Sequence, residues 1–353
     1  MTDRPIMQLK TRHKLVDAIK SVSFVWIVLA ALTLSSLSML FAGFNPLKAY
    51  AAIFEGAYGS MYQFSVTVRL FIPMCLAGLA VAIPLRCYVF NIGAEGQLIM
   101  GAVAATFVAL NFDAPFYIHI PLALLAAAIG GAFWGMIPGL LLAFRNVNDV
   151  LSTVMLNFIA IFVVQYLVRG PWASSDAMFP VTEKFPETVQ FSQFGTTLAW
   201  HSGIFVTLLG LLAALIIIYR TNFGFAMKIL ASGKDVATNI GLSIKLVITG
   251  SLATGGAFAG LAGATEVMGV QHNLSPQFSP GYGFDAVMIA MLSGGHPLRI
   301  CIVAFFFASL RNGVGFMQRV EHIPSAIGQI IIALLVIFFA VDVARKQLKA
   351  MKI

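Results

Sequence analysis

Residues 91–97 read Asn-Ile-Gly-Ala-Glu-Gly-Gln, a carboxylate between two glycines with an amide on either side, at the head of a long apolar run. Polar and ionisable groups are costly in lipid, so at membrane depth they face a cavity or a partner side chain. Asn91, Glu95 and Gln97 therefore read in two ways: as acceptors and donors for a polar solute, or as a polar knot that packs two helices. Asn157, inside another apolar run, has the same two readings, a solute hydroxyl or a neighbouring helix. Glu266 follows Gly255, Gly256, Gly260 and Gly263, a stripe that reads as a close-packed helix face. Asp285 follows Gly281-Tyr282-Gly283, where a half-helix can begin with an acidic residue in its favoured first turn. Phe90, Trp134 and Phe284 are the aromatic candidates for stacking on a planar solute.

Other chemistries are excluded by what is missing. The nearest approach to a phosphate loop is Ser232-Gly233-Lys234-Asp235, but Lys228 stands where the first glycine is needed and Asp235 replaces Ser or Thr. There is no HExxH, no GxSxG elbow and no histidine pair at metal spacing. Cys75, Cys87 and Cys301 form no CxxC or Cys/His pattern, so neither a disulfide framework nor a metal site is expected. The net charge of +8 is spread over short loops rather than gathered into a stripe, which argues against nucleic acid. The chain is read as a non-enzyme.

The elements that must position these residues are membrane helices. Of 353 residues, 59% are hydrophobic and 10% charged, against about 25% charged in an average soluble domain. The apolar runs fall near 22–44, 65–85, 92–112, 118–143, 149–168, 202–219, 246–268, 284–298, 300–318 and 324–342, close to the ~20 residues a crossing needs. The predicted fold class is therefore an all-α integral membrane protein of about ten spans, with broken or re-entrant segments. The run at 284–298 is the weakest, being short and interrupted by Ser293, Gly294, Gly295 and Pro297; irregular backbone is tolerated where protein or a watery cavity covers it. With both termini in the cytoplasm, 16 of the 22 Lys and Arg fall on the cytoplasmic side, the bias that orients membrane proteins. Only Lys48, Arg69, Arg169, Lys184, Arg311 and Arg319 fall elsewhere. The expected organisation is a cytoplasmic segment 1–21, a transmembrane domain 22–343 and a tail 344–353.

Two loops are long. Residues 170–200 form the main external insertion, either a plain surface loop or a docking surface for an external partner. Residues 220–245 form the main internal loop, within which Lys234 and Asp235 precede Val236, Ala237, Ile240 and Leu242. Those residues suit a short helix ended by Gly241. The echo between Pro84-Leu85-Arg86-Cys87 and Pro297-Leu298-Arg299-Cys301 raises an inverted repeat of the kind found in transporters, but four residues are too few to establish one.

The run FNIGAEGQLIMGA (Phe90 to Ala102), the run MLSGGHPL (Met291 to Leu298) and the stretch from Arg220 to Gly241 together resemble permeases of ATP-binding cassette (ABC) importers for ribose-like sugars and nucleosides. The resemblance spans nearly the whole chain in order and spacing and is nearest to bacterial nucleoside uptake permeases. It implies a multi-pass protein of the bacterial plasma membrane that pairs with a second permease, homologous or identical, and receives solute from an external substrate-binding protein. It also implies a cytosolic ABC ATPase that uses ATP and Mg, with no cofactor held by this chain. The pathway for a nucleoside or related sugar would then draw on Asn91, Glu95, Gln97, Asn157, Glu266 and Asp285. The internal loop would carry a coupling helix, with Gly233, Lys234, Asp235, Ala237, Ile240 and Gly241 at the ATPase interface. The loop departs from the family's commoner pattern, in which an acidic residue follows the glycine. A ribose-type sugar permease, or a carrier coupled to an ion through the buried carboxylates, are the alternatives.

Overall fold

The computed structural model describes residues 32–195 and 198–334, together with the single positions Leu29 and Ile337. The expected cytoplasmic segments 1–21 and 344–353, and with them their basic residues, lie outside the described residues. In chain order the helices are α1 (Leu32–Phe41), α2 (Pro46–Tyr58), α3 (Met61–Leu85), α4 (Ala94–Asn111), α5 (Phe116–Arg145), α6 (Asp149–Arg169), α7 (Gly203–Arg220), α8 (Asn222–Ser232), α9 (Lys234–Asn239), α10 (Ile244–Glu266), α11 (Tyr282–Leu292), α12 (Pro297–Val320) and α13 (Ser325–Leu334). A π turn, Val267–Gln271, extends α10. Among the described residues no strand forms beyond one isolated bridge, Gln193 with His201.

Seven of these helices are long and apolar enough to cross a membrane, or eight if the bent pair α1 and α2 counts as one span. They account for seven of the ten expected crossings. The other three differ for separate reasons. The run 22–44 is described from residue 32 on, where it forms α1 and bends into α2, and 324–342 is described mainly through α13. The run 284–298 shortens to α11, whose 11 residues rise only about 16 Å against a hydrocarbon core of ~30 Å. It ends where Gly294 and Gly295 adopt φ of 61° and 68°, a conformation that costs a residue with a Cβ about 1–2 kcal/mol. Pro84 closes α3 whereas Pro297 opens α12, so the echo between them gives no support to an inverted repeat.

The chain divides into two compact units. The larger, Tyr58–Ser309, is built around α3 and α10. Within α3, 83% of the apolar window is buried, against 28% in each of α5, α6 and α7. Protein therefore surrounds α3, while most positions of the other three helices are left uncovered by this unit. The stripe on α10 is a close-packed face, as its sequence suggested. A methyl at Gly260 would strike the Ala127 carbonyl of α5, one at Gly263 the Leu98 carbonyl of α4, and one at Gly255 the Ala80 carbonyl of α3. Small residues allow such backbone approach, which replaces the hydrophobic drive that lipid cannot supply. Cys75 of α3 and Cys301 of α12 meet with their sulfurs 3.5 Å apart as free thiols, a proximity the sequence gave no sign of.

The long 170–200 segment is anchored. Backbone N–H groups of Thr182, Phe185 and Phe191 donate to the carbonyls of Leu274, His272 and Met268 at 2.8–3.0 Å, and Phe185, Val189 and Phe191 are buried. Buried His119 of α5 adds a hydrogen bond to the Thr188 hydroxyl at 2.9 Å.

The smaller unit comprises the described residues up to Ala57 and from Leu310 onward. Met39, Ala49, Ile53, Val314, Met317, Ile323, Ile327 and Ile331 form its core. The axes of α1 and α2 turn by 118°. Asn312 donates to the Gly56 carbonyl at 2.7 Å, and the Tyr50 hydroxyl meets Ser35 at 2.7 Å and the Leu32 carbonyl at 2.9 Å.

Candidate functional site

The turn before α4 gathers four of the six expected pathway residues. The Asn91 and Gln97 side-chain amides bond to each other twice, at 2.9 and 3.0 Å. Asn91 also donates to the Ala80 carbonyl of α3 at 3.2 Å and accepts from the Gly93 N–H at 3.2 Å. Asn157 of α6 bonds α4 from its other side: its carbonyl accepts from the Gly96 N–H at 2.8 Å, and its amide donates to the Ile92 carbonyl at 2.9 Å. The N–H groups in the first turn of a helix lack partners within it, so Asn157 caps α4 from a distance of 61 residues. Each of these amides is about 1% exposed. In the structure they bond to protein rather than to an open cavity.

Glu95 links the cluster to the short helix. Its Oε2 accepts from the Gly283 N–H at 2.7 Å, and the residue is 4% exposed. The contact requires glycine at 283, because a Cβ there would collide with the backbone nitrogen and Cα of Glu95. Asp285 sits two residues on, half-buried in the first turn of α11, as expected for an acidic residue at a helix start. Glu266 is buried at the last regular turn of α10, where the chain passes into the π turn. The sequence flagged Glu95 and the glycines of 281–283 separately; that they meet is a tertiary fact.

Three further features surround the cluster. The Asp149 carboxylate accepts from the Phe90 N–H at 2.7 Å, and Asn148 caps α6 by accepting from Leu151 N–H at 3.0 Å. Phe90 and Phe284 keep 42% and 45% of their surface exposed, whereas the Trp134 indole nitrogen is buried without a partner. Arg86, read in the sequence only as a topology signal, donates to the Tyr219 hydroxyl at 2.8 Å and lies 5.4 Å from that ring's centre. Among the described residues no group of three or more His, Cys, Asp or Glu has the geometry to hold a metal ion.

Residues 220–245 fold into two helices, α8 and α9, rather than the single short one expected. Thr221 caps α8 by accepting from Gly224 N–H at 3.1 Å, and Gly233, at φ 142°, breaks the chain before α9. Gly241, at φ 75°, follows the end of α9, where a terminator was expected. Ala237 is fully buried and seats this short helix, while Lys234, Asp235, Val236 and Ile240 are exposed. Two apolar side chains, Val236 at 47% and Ile240 at 56%, thus face outward beside a lysine and an aspartate.

Comparison with known proteins agrees with this architecture. The family described as Branched-chain amino acid transport system / permease component matches residues 64–340. The chain is 34% identical over 319 residues to the guanosine ABC transporter permease protein of Bacillus subtilis, covering 89% of this chain and 91% of that one. It is 33% identical over 321 residues to the glucose ABC transporter permease protein of Haloferax volcanii, covering 88% and 84%. It is 29% identical over 362 residues to the nucleoside ABC transporter permease protein of Lactococcus lactis, covering 98% and 97%. An all-helical membrane fold matched over most of its length by that family places the protein: the chain belongs to the branched-chain amino acid transport system / permease component family, as a multi-pass permease subunit of the ABC transporter class.

Proposed function

We propose that this permease carries a nucleoside, or a related sugar, inward as one half of a pore made with a second permease, homologous or identical. A separate cytosolic ATPase drives it with ATP and Mg, and an external binding protein delivers the solute. The observation that carries this reading is α9, a short helix seated through buried Ala237 with Val236, Ile240, Lys234 and Asp235 turned outward. A compact exposed patch with two apolar side chains suits insertion into a groove on a partner. Guanosine, nucleoside and glucose in the names of the relatives support the solute class. In this reading the transmembrane domain spans 22–343 of a bacterial plasma-membrane protein, segments 1–21 and 344–353 face the cytoplasm, 220–245 is the coupling loop and 170–200 the external one.

The expected pathway residues enter the reading through their connections. Asn91, Gln97 and Asn157 hold the start of α4 against α3 and α6, and Glu95 holds α11 against α4. Motion of α8 and α9 with the ATPase would reach α10, on which α8 packs, and through α10 the wall where Glu95, Glu266 and Asp285 stand. A nucleotide shifts the balance between pore states only by its differential affinity for them, so the solute itself can bind weakly.

The test is purification of the tagged protein in mild detergent, with identification of co-purifying chains and assay of ATP hydrolysis. The expected result is a stoichiometric ATPase whose association is lost on altering residues 234–241. Purification of the chain alone, with solute uptake in vesicles lacking ATP, would overturn the reading and move the buried carboxylates to the role of ion sites.

A further inference from the structure

A cavity of about 510 Å³ lies within the larger unit, away from the polar cluster at α4. Tyr62 and Arg69 of α3, Gln193 and Leu198 of the segment before α7, and Gly269 and Val270 of the π turn line it. The volume falls in the range of small-molecule sites, about 300–1,000 Å³. Part of its wall is a π turn, a rare feature frequently found at functional sites.

The polar groups around it are rich in donors. Arg69 is the sole charged residue of α3, and a cation at membrane depth marks a pathway or ligand by default. Among the described residues no carboxylate pairs with it and none lines the cavity. Tyr62 supplies a hydroxyl and Gln193 an amide. Behind the wall stands His201, 1% exposed and stacked on Phe191 with ring centres 5.6 Å apart. Its Nδ1 accepts from the Gly203 N–H at 3.2 Å, which places the ring proton on Nε2. That Nε2 is buried with no partner. It lies against Gly269, where a methyl would come within 2.6 Å of it. Burial, then the nearby charges of Arg69 and His272, lower the His201 pKa to about 4, so the ring stays a neutral donor at physiological pH.

From this we infer that the cavity is a solute site that holds a neutral solute by two adjacent acceptor atoms against the Arg69 guanidinium, with Tyr62 and Gln193 completing the contacts. The planar fork of a guanidinium matches paired acceptors such as the keto oxygen and ring nitrogen of an oxo-purine. Adenine offers one acceptor and one donor on the same edge and fits less well. A pair of sugar oxygens is the other source of such acceptors. The inference rests on the reading of the protein as a nucleoside or sugar permease, which puts this cavity on the external side, where the solute arrives. It assigns a site that the motif at 91–97 does not include.

The experiment uses the intact transporter, with its ATPase and external binding protein, in sealed vesicles. Leu198→Cys is labelled with a membrane-impermeant thiol reagent in the presence of millimolar guanosine, adenosine or glucose, with the native cysteines providing the background rate, and uptake of the three solutes is measured in parallel. Guanosine is expected to slow labelling at least threefold and adenosine less. Arg69→Gln should abolish that protection and lower guanosine uptake at least tenfold, with Arg69→Lys intermediate. Equal protection by adenosine and guanosine, or protection by glucose alone, would overturn the oxo-base assignment. Uptake without protection would overturn the cavity while sparing the permease reading; protection without uptake would overturn the transport reading; absence of both would overturn the two together. If Arg69→Gln weakens association of the binding protein and leaves protection unchanged, Arg69 is a docking residue and the inference fails.

Discussion

Removing the Glu95 carboxylate tests how the short helix is held. In Glu95→Ala the Gly283 N–H loses an acceptor 2.7 Å away in a buried setting. An orphaned buried donor costs about 1–3 kcal/mol, and a bond to a charged group contributes about 1.5–3 kcal/mol. Taking ~2 kcal/mol, the docked position of α11 weakens about 30-fold relative to an undocked one, since each 1.4 kcal/mol is tenfold. Glu95→Gln keeps an acceptor of the same length and is expected to lose less than threefold. The assay pairs solute uptake in vesicles with thiol labelling of Phe284→Cys, which reports the exposure of α11. We expect Glu95→Ala to lose at least 90% of uptake and to speed labelling by tenfold or more, with complex assembly intact. Uptake within twofold of wild type, with unchanged labelling, would refute the reasoning and leave Glu95 as a packing residue.

Three other outcomes are expected. Gly283→Ala should reproduce the Glu95→Ala defect, because its Cβ collides with Glu95 backbone and overpacking of this kind costs about 1–3 kcal/mol; native labelling of Phe284→Cys in that variant would contradict the close approach. Burial lowers the folded-state pKa of His201 from 6.5 to about 4, so the unfolded segment binds more protons between those values. Stability of the 170–200 segment is then complete above about pH 6.5 and falls as pH drops toward 4, by about 3 kcal/mol in all. Hydrogen exchange of residues 182–193 should accelerate over that window in the wild type and not in His201→Phe. Ile240→Asp should reduce ATPase co-purification at least tenfold while leaving the permease folded, since exposed substitutions shift stability by only about 0.5 kcal/mol; unchanged co-purification would remove α9 from the interface.

The legible part of the fold was the part encoded along the chain. Seven apolar runs became membrane-length helices with borders shifted by a few residues, because the lipid core requires a continuous apolar length whatever surrounds it. The 13-residue α2 was missed, being too short to span and bent sharply from α1. The helix α8 was read as loop for a similar reason: its Asn, Lys and Ser interrupt the apolar pattern. Within 220–245 the break at Gly233 and the stop near Gly241 left a visible mark, since both positions take a positive φ that favours glycine.

The site was legible only as a set of residue types. Asn91, Glu95, Gln97 and Asn157 stood out because polar groups are expensive at membrane depth, and that expense holds in any arrangement. Which groups satisfy them depends on contacts 61 and 188 residues apart in the chain. Arg69 and Gln193 carried no motif, and Arg69 was counted only among the basic residues outside the cytoplasmic loops. The sequence by itself determined an all-helical membrane protein and seven of its spans, because hydropathy is a sum over neighbours along the chain, while the resemblance to a permease family rested on the runs at 90–102, 291–298 and 220–241. Only the tertiary structure decided that the amides bond one another, that Glu95 holds Gly283, and that Arg69 opens onto a cavity. Those outcomes depend on which helix faces converge, and that is set by the backbone approach the glycines of α10 permit between distant segments.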